Sequence, residues 1–234
     1  MSEGDLGPSD AGGGGSFWTS LPALLTASAV LLGAIVSAVV ALRDDDGSSA
    51  TPPATTTTPA EQRYFTAVTR PTGRVYFEEG TMFMKASRPG RPMLALAELD
   101  EPLADVRLSA RAEWVSGARD HGVGFVCRYA NADSYYLLAV LSDGRYHVVR
   151  YRGGRPISLT GGIQTSGAVE ADANDVEARC VGDDPVTLTL RVNGREVARV
   201  RDGDGIAEGN VGIRLGTSES VVTYSIEGFA LSSL

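Results

Sequence analysis

Alternation of apolar and polar residues with a period of two runs through residues 64–234, and it constrains the fold more strongly than any other feature. Between residues 106 and 115, one set of alternate positions is apolar and the other is mostly charged. Successive side chains of a β-strand point to opposite faces, so this segment predicts a strand with one buried and one solvated face. The apolar set is Val106, Leu108, Ala110, Ala112 and Trp114. The pattern returns at 186–192, 211–215 and 222–226.

Tight turns join several of these segments. Asn193-Gly194 lies between two alternating runs and supplies the two residues with positive φ that a type I′ hairpin needs. Ser142-Asp143-Gly144 supplies a second turn, between Tyr135–Leu141 and Tyr146–Tyr151. With about ten candidate strands and no convincing helix, residues 64–234 are predicted to be all-β, as a two-sheet antiparallel β-sandwich.

The charge balance argues against a nucleic-acid partner. The whole chain carries a formal net charge of −8. Residues 1–63 hold two arginines and seven acidic residues, which leaves 19 basic and 22 acidic residues in the predicted β-domain. A domain so nearly balanced has no broad positive field to attract a phosphate backbone.

One long apolar stretch precedes the β-domain. Residues 1–16 are rich in Gly, Ser and acids and are expected to be disordered, and residues 17–42 are predicted to form a transmembrane helix. Its core, Leu21–Leu42, is uncharged, and at 1.5 Å per residue it spans roughly 33 Å, enough to cross a hydrocarbon layer of about 30 Å. Two alternatives to a transmembrane helix fit this segment less well. A cleavable signal peptide has a basic start and a shorter apolar run. A buried core helix is seldom apolar on all sides.

Residues 43–63 are predicted to be a linker that places the β-domain outside the cytoplasm. The tract is rich in Pro and Thr, which suits an extended stalk and is typical of exterior segments. Arg43 alone argues for the opposite orientation, because basic residues favour the cytoplasmic side. We therefore expect a single-pass protein of the cell membrane with an extracytoplasmic C-terminal domain.

Several motifs of the β-domain resemble a known superfamily. These are GVGFVCRYANADSYYLLAVLSDGRYHVVRY, NDVEARCVG, LTLRVNG, GNVGIRLGT and YSIEGFAL. They are similar to bacterial, non-catalytic members of the concanavalin A-like lectin/glucanase superfamily, a group that includes laminin-G-like sandwiches and related domains of unknown function. The resemblance covers roughly residues 65–234. It implies a concanavalin A-like jelly roll, and its motifs carry structure rather than chemistry.

The two cysteines, Cys127 and Cys180, each fall on the apolar side of an alternating strand. Their positions match the paired cysteines of the resembling family, which implies a disulfide, expected between adjacent strands. Two buried free thiols are the alternative, since reduced cysteine behaves as a small apolar residue. With only two distant histidines besides, the chain lacks the ligands of a zinc site.

No catalytic residues, cofactor or metal are assigned from the sequence. The glucanase branch of the superfamily carries E-x-D-x-E or E-x-D-x-x-E on a strand, and the run from Glu170 to Asp175 is the only near match. It has Asn174 and Asp175 where glutamates are needed, so we interpret it as a solvated turn.

Asp202 and Asp204 form a weak candidate for a calcium site. The candidate is weak because an EF-hand needs further oxygen ligands.

Glycan binding would use outward aromatic and polar side chains on a sheet. We place Arg128, Asn131 and Tyr136 on the outward face as ligand-binding candidates. The preferred prediction is a membrane-anchored domain for recognition or adhesion, with a glycan or cell-envelope polymer as ligand. The alternatives are a glycoside hydrolase-like enzyme and a structural or sensory ectodomain that binds a protein partner.

Overall fold

The structure, a computed structural model, describes residues 60–218 and 220–234. Within these ranges no helix is long and apolar enough to cross a membrane. The predicted transmembrane helix Leu21–Leu42, the tail 1–16 and residues 43–59 of the predicted linker lie outside the described residues.

The alternating segments of the sequence all form strands. In chain order the elements are α1 (Ala60–Tyr64), β1 (Val68–Arg70), β2 (Gly73–Glu78), β3 (Thr81–Ala86), β4 (Met93–Leu96), β5 (Val106–Gly117), β6 (His121–Asn131), β7 (Ser134–Leu141), β8 (Arg145–Arg152), β9 (Arg155–Ser158), β10 (Gln164–Thr165), β11 (Ala173–Val181), β12 (Val186–Val192), β13 (Arg195–Asp202), β14 (Asn210–Thr217) and β15 (Val222–Ser233). The sequence did not predict the short strands β1, β9 and β10, because a strand of two to four residues is too short to show alternation.

These strands form two antiparallel sheets, as predicted. The eight-stranded sheet has the order β1-β2-β3-β15-β5-β11-β12-β13. The seven-stranded sheet has the order β10-β8-β7-β6-β14-β4, and β9 also pairs with β8. Neighbours such as β14 and β6 are far apart in the chain, so the long crossovers of a jelly roll connect the sheets.

The main hydrophobic core lies between the sheets. It contains the apolar residues of each alternating strand, and many of their side chains have no exposed surface. Among them are Leu108, Leu188 and Leu190 of the eight-stranded sheet and Leu138 and Leu215 of the seven-stranded sheet. At about 25 cal/mol per Å² of apolar surface removed from water, this contact between sheets is the principal source of stability.

The turn at Asn193-Gly194 has the predicted geometry. It joins β12 to β13, and both residues have positive φ, 50° at Asn193 and 76° at Gly194. Asparagine and glycine tolerate this region at little steric cost, which is why the type I′ turn selects them.

One short helix was not expected. α1 is a single turn that begins at the end of the predicted linker and packs on β15. Its Glu61 is buried and accepts a hydrogen bond of 2.9 Å from the backbone N–H of Phe229. A five-residue helix is too short to show helical periodicity, so tertiary contacts rather than sequence pattern determine it.

A disulfide joins Cys127 to Cys180, as the resemblance implies. The expectation that it links adjacent strands is wrong, because Cys127 belongs to β6 in one sheet and Cys180 to β11 in the other. Both side chains point into the core and neither is exposed. The bond therefore connects the two sheets through the interior.

Candidate functional site

The outer face of the seven-stranded sheet is apolar at its centre. In β7 the alternate residues Tyr136, Leu138 and Val140 enter the main core, while Tyr135, Leu137 and Ala139 point to the outer face and are also buried. With Val126 and Val149 of the neighbouring strands they form a second apolar cluster. An antiparallel sheet usually presents a polar outer face to water, so this cluster marks the face as unusual.

The sequence carries a signal for this face that differs from alternation. Tyr135–Leu141 reads YYLLAVL and contains no strongly polar residue. A continuous apolar run is typical of a strand that is buried on both sides, whereas alternation indicates one buried side.

A row of three tyrosines lies along one end of the cluster. The rings of Tyr135 and Tyr151 stack with centroids 4.5 Å apart, and Tyr129 lies 5.6 Å from Tyr135. Burial raises the pKa of Tyr135 to about 12, so its hydroxyl stays protonated at neutral pH. The row therefore places aromatic rings on the outer face, where Tyr135 is covered by its neighbours and contributes a protonated hydroxyl.

Beside the tyrosine row, a groove of about 330 Å³ crosses the sheet. Its floor is low because Gly216 of β14 pairs with Gly122 of β6, and neither has a side chain. A Cβ added to Gly216 would meet no heavy atom nearer than 3.8 Å, so the space above it is open. At Gly124 an added Cβ would lie 2.4 Å from the carbonyl oxygen of Leu138, so that glycine serves strand packing.

Polar groups line the rim of the groove. His147 Nε2 lies 2.9 Å from the hydroxyl of Ser158, and burial lowers the His147 pKa, which favours the neutral ring. The hydroxyl of Ser218, which directly follows β14, donates a hydrogen bond to the carboxylate of Asp120 on the β5–β6 connection. The guanidinium carbon of Arg214 lies 5.4 Å from the centre of the Tyr151 ring.

The expected outward placement is wrong for two of the three ligand-binding candidates. Arg128 and Tyr136 are both completely buried, and only Asn131 is exposed. The alternation fails at Arg128 because β6 bulges there: its φ is 50°, and the pairing with β7 shifts register between Cys127 and Asn131. A bulge inserts an extra residue and so turns the following side chain to the other face.

Arg128 instead ties three loops to the core. Its guanidinium donates hydrogen bonds of 2.9, 2.8 and 2.7 Å to the carbonyl oxygens of Ala104, Ile206 and Gly182. It also lies 3.1 Å from a carboxylate oxygen of Asp105. These contacts satisfy a charge that would otherwise be buried at a large cost.

Tyr136 and the calcium candidate belong to a second buried polar cluster. The Tyr136 hydroxyl donates to Asp202 at 2.7 Å, and Arg150 donates to the same carboxylate at 2.6 Å and to the carbonyl oxygen of Asp204 at 2.9 Å. The positive charge beside Asp202 is thus supplied by an arginine. In the described ranges, no group of three or more His, Cys, Asp or Glu side chains is arranged to hold a metal ion.

The acidic run is only partly the solvated turn interpreted from the sequence, because Asn174 and Asp175 belong to β11 and Asn174 is buried. Glu170 and Asp172 are exposed and precede β11, and the Asn174 side chain bonds to the backbone N–H and carbonyl of Glu170. Asp172 forms an ion pair with Arg119, and Asp175 with Arg111. None of these acids lines the groove.

A larger depression of about 570 Å³ lies on the outer face of the eight-stranded sheet. Its charged side chains largely satisfy one another: Glu177 accepts from both Arg107 and Arg179, and Asp175 faces Arg111. None of the described residues that line it is aromatic. Exposed ion pairs of this kind contribute little to binding or stability, so the groove with the tyrosine row is the better candidate site.

No protein-family model matches the chain, and a search of curated proteins finds no match either. Solved structures are similar in fold. The carbohydrate-binding module CBM66 from Bacillus subtilis superposes with a TM-score of 0.50 at 13% identity, covering 72% of this chain and 92% of the module. A Bacillus subtilis protein of unknown function with a galectin-like fold gives 0.52 at 8% identity, over 69% of this chain and 86% of that one.

A third similar structure is an enzyme. A prokaryotic β-1,3-1,4-glucanase (lichenase) from a mouse hindgut metagenome gives a TM-score of 0.50 at 9% identity, over 68% of this chain and 83% of the glucanase. At these identities the likeness shows the fold alone. The chain thus shares a two-sheet, galectin-like β-sandwich fold with a carbohydrate-binding module and a glucanase.

Proposed function

We propose that this protein is a non-catalytic carbohydrate-binding protein and that a glycan chain lies in the groove on the outer face of the seven-stranded sheet. The observation that carries the proposal is the tyrosine row beside an open, glycine-floored groove. Sugar rings present apolar C–H faces and hydroxyl edges. Flat aromatic surface bordered by a few fixed polar groups is complementary to both.

The groove also has the polar groups that a neutral sugar needs. His147, Asp120 and Ser218 place donors and acceptors on the rim, where they can meet hydroxyl groups. Buried apolar residues such as Leu137 and Val149 support the floor, so a ligand enters a largely preformed site. The occurrence of the same fold in a carbohydrate-binding module supports the proposal.

Non-catalytic binding is favoured by the shortage of carboxylates. Glycoside hydrolysis of the common kind uses two carboxyl groups that flank the scissile bond. Among the described residues that line the groove, Asp120 is the only acid. The glycoside hydrolase-like alternative would need a second carboxylate beside it.

The test is binding of the full chain to a panel of soluble polysaccharides, measured by affinity gel electrophoresis in a detergent that has no sugar headgroup. We expect retardation by at least one polymer, and Tyr151→Ala should weaken it at least fivefold, about 1 kcal/mol. Tyr76→Ala is the matched control, because Tyr76 is a half-buried tyrosine on the eight-stranded sheet. The proposal fails if nothing binds, or if the two variants weaken binding equally, and a protein partner then becomes the better hypothesis.

We also propose that Leu21–Leu42 anchors the protein in the cell membrane with the β-domain outside the cytoplasm. The uncharged length of that segment supports the anchor. The Cys127–Cys180 disulfide supports the orientation, because disulfides persist in oxidising compartments. Protease treatment of intact cells should release the β-domain, whereas full protection would refute the orientation.

A further inference from the structure

We infer that the glycan in the groove is acidic, with a carboxylate or phosphate group on the sugar that Arg214 binds. This inference rests on the proposed function and adds the chemical class of the ligand. The cluster on the outer face consists of apolar side chains and tyrosines, yet one half-buried arginine lies against it. An arginine in such a place needs a partner, because removing a cation from water without one is costly.

The part of the chain that the structure describes provides no such partner for Arg214. It forms no ion pair there, and its Nε is buried without a hydrogen-bond acceptor. The other guanidinium groups that point into the fold are paired: Arg128 with Asp105, and Arg150 with Asp202. The guanidinium of Arg214 instead lies over the face of the Tyr151 ring, and a cation–π interaction of this kind is weak.

Asp120, the only acid among the described residues that line the groove, is too far along the sheet to neutralise Arg214. Arg214 pairs with Gly124 in the register of β14 and β6, and Asp120 precedes that glycine by four residues. At about 3.3 Å per residue the two backbone positions are roughly 13 Å apart, beyond the screening length of about 8 Å at physiological salt. The Arg214 side chain extends toward Tyr151, away from Asp120, because Tyr151 pairs with Tyr135 at the opposite end of the strands.

The guanidinium is suited to an oxyanion that is attached to a ring. Its planar N–H groups can donate two parallel hydrogen bonds to a carboxylate or phosphate. A sugar that lies along the tyrosine row would then present its ring to the aromatic surface and its charged group to Arg214. In a partly dry site these charge-assisted bonds are stronger than those to neutral hydroxyl groups.

The test compares acidic polymers with neutral counterparts of the same backbone. The full chain is run in affinity gels that contain polygalacturonate or its methyl ester, and phosphomannan or the mannan left after phosphate removal. We expect one acidic polymer to bind at least fivefold tighter than its neutral counterpart. Polygalacturonate would identify a carboxylate ligand, and phosphomannan a phosphate ligand.

Variants separate Arg214 from general attraction between charges. Arg214→Gln should abolish the preference for the acidic polymer, and Arg214→Lys should keep part of it, because lysine keeps the charge but loses the bidentate geometry. Arg74→Gln is the matched control and should change nothing: Arg74 lies 4.2 Å above the ring of Tyr76, on the eight-stranded sheet. Thermal unfolding of each variant establishes that the fold is intact.

The outcomes distinguish this inference from the proposed function. Binding to neutral polymers alone, or equal binding within each pair, would overturn the inference and leave the carbohydrate-binding proposal standing. A preference for acid that survives Arg214→Gln would also overturn it. If no polysaccharide binds, the proposed function fails and the inference fails with it.

Discussion

Replacing Arg128 by methionine should cause a large loss of stability. The substitution keeps most of the apolar stem and removes three hydrogen bonds to carbonyl oxygens and one ion pair. Hydrogen bonds to a charged group contribute about 1.5–3 kcal/mol each, but bonds that share one guanidinium do not add. Removing one member of a buried ion pair typically costs about 3–5 kcal/mol. We expect a loss of about 4 kcal/mol in the free energy of unfolding.

Urea denaturation followed by circular dichroism measures this loss. For a domain of this size the denaturant slope is about 2 kcal/mol per molar urea, so a loss of 4 kcal/mol lowers the midpoint by about 2 M. Arg155→Met is the control, because Arg155 is exposed in β9, and its midpoint should stay within about 0.3 M of the wild type. A loss below about 1 kcal/mol for Arg128→Met would refute the reasoning that these contacts hold the loops.

Two further predictions concern the disulfide and a buried histidine. The double variant Cys127→Ala, Cys180→Ala should lose roughly 4 kcal/mol, because the bond closes a loop with a sequence separation of 53 residues; unchanged urea denaturation would contradict this. His121 is buried, and burial together with nearby Arg119 lowers its pKa below the value of 6.5 that it has when unfolded. The unfolded chain therefore binds the proton first, and stability should fall as the pH drops below about 6.5. His121→Asn should lose less stability between pH 7.5 and 5 than the wild type, and equal losses would exclude His121 as the source.

The fold could be predicted in outline because alternation is a local signal. The inner face of β5 or β12 can be identified from every second residue, and the turn at Asn193-Gly194 from two residues. The one-turn helix α1 could not be predicted, because its position depends on the contact between Glu61 and Phe229, residues far apart in the chain.

The candidate site was predicted less well, and for a physical reason. Placing Arg128 and Tyr136 on the outer face assumed uninterrupted alternation along β6 and β7. The bulge at Arg128 breaks it in β6, and in β7 both sets of residues are apolar, so polarity could not show which face was outward. Tyr151 and Arg214, which form the site proposed above, come together only when β8 and β14 are in place.

The two buried faces of β7 also affect how the strand finds its alignment during folding. In an ordinary half-buried strand, a shift of one residue would bring polar side chains into the core, and that penalty excludes the wrong pairing. A one-residue shift of β7 would exchange Tyr135 with Tyr136 and Leu137 with Leu138, so burial alone barely distinguishes the two alignments. The hydroxyl of Tyr136 excludes the shift that would put Leu137 in its place, because the hydrogen bonds to Asp202 and to the N–H of Ile206 would be lost. The opposite shift would put Tyr135 there with an equivalent hydroxyl, but Ser134 would then replace Tyr135 in the stack with Tyr151. The buried polar contact and the tyrosine stack thus together select the alignment that carries the tyrosine row.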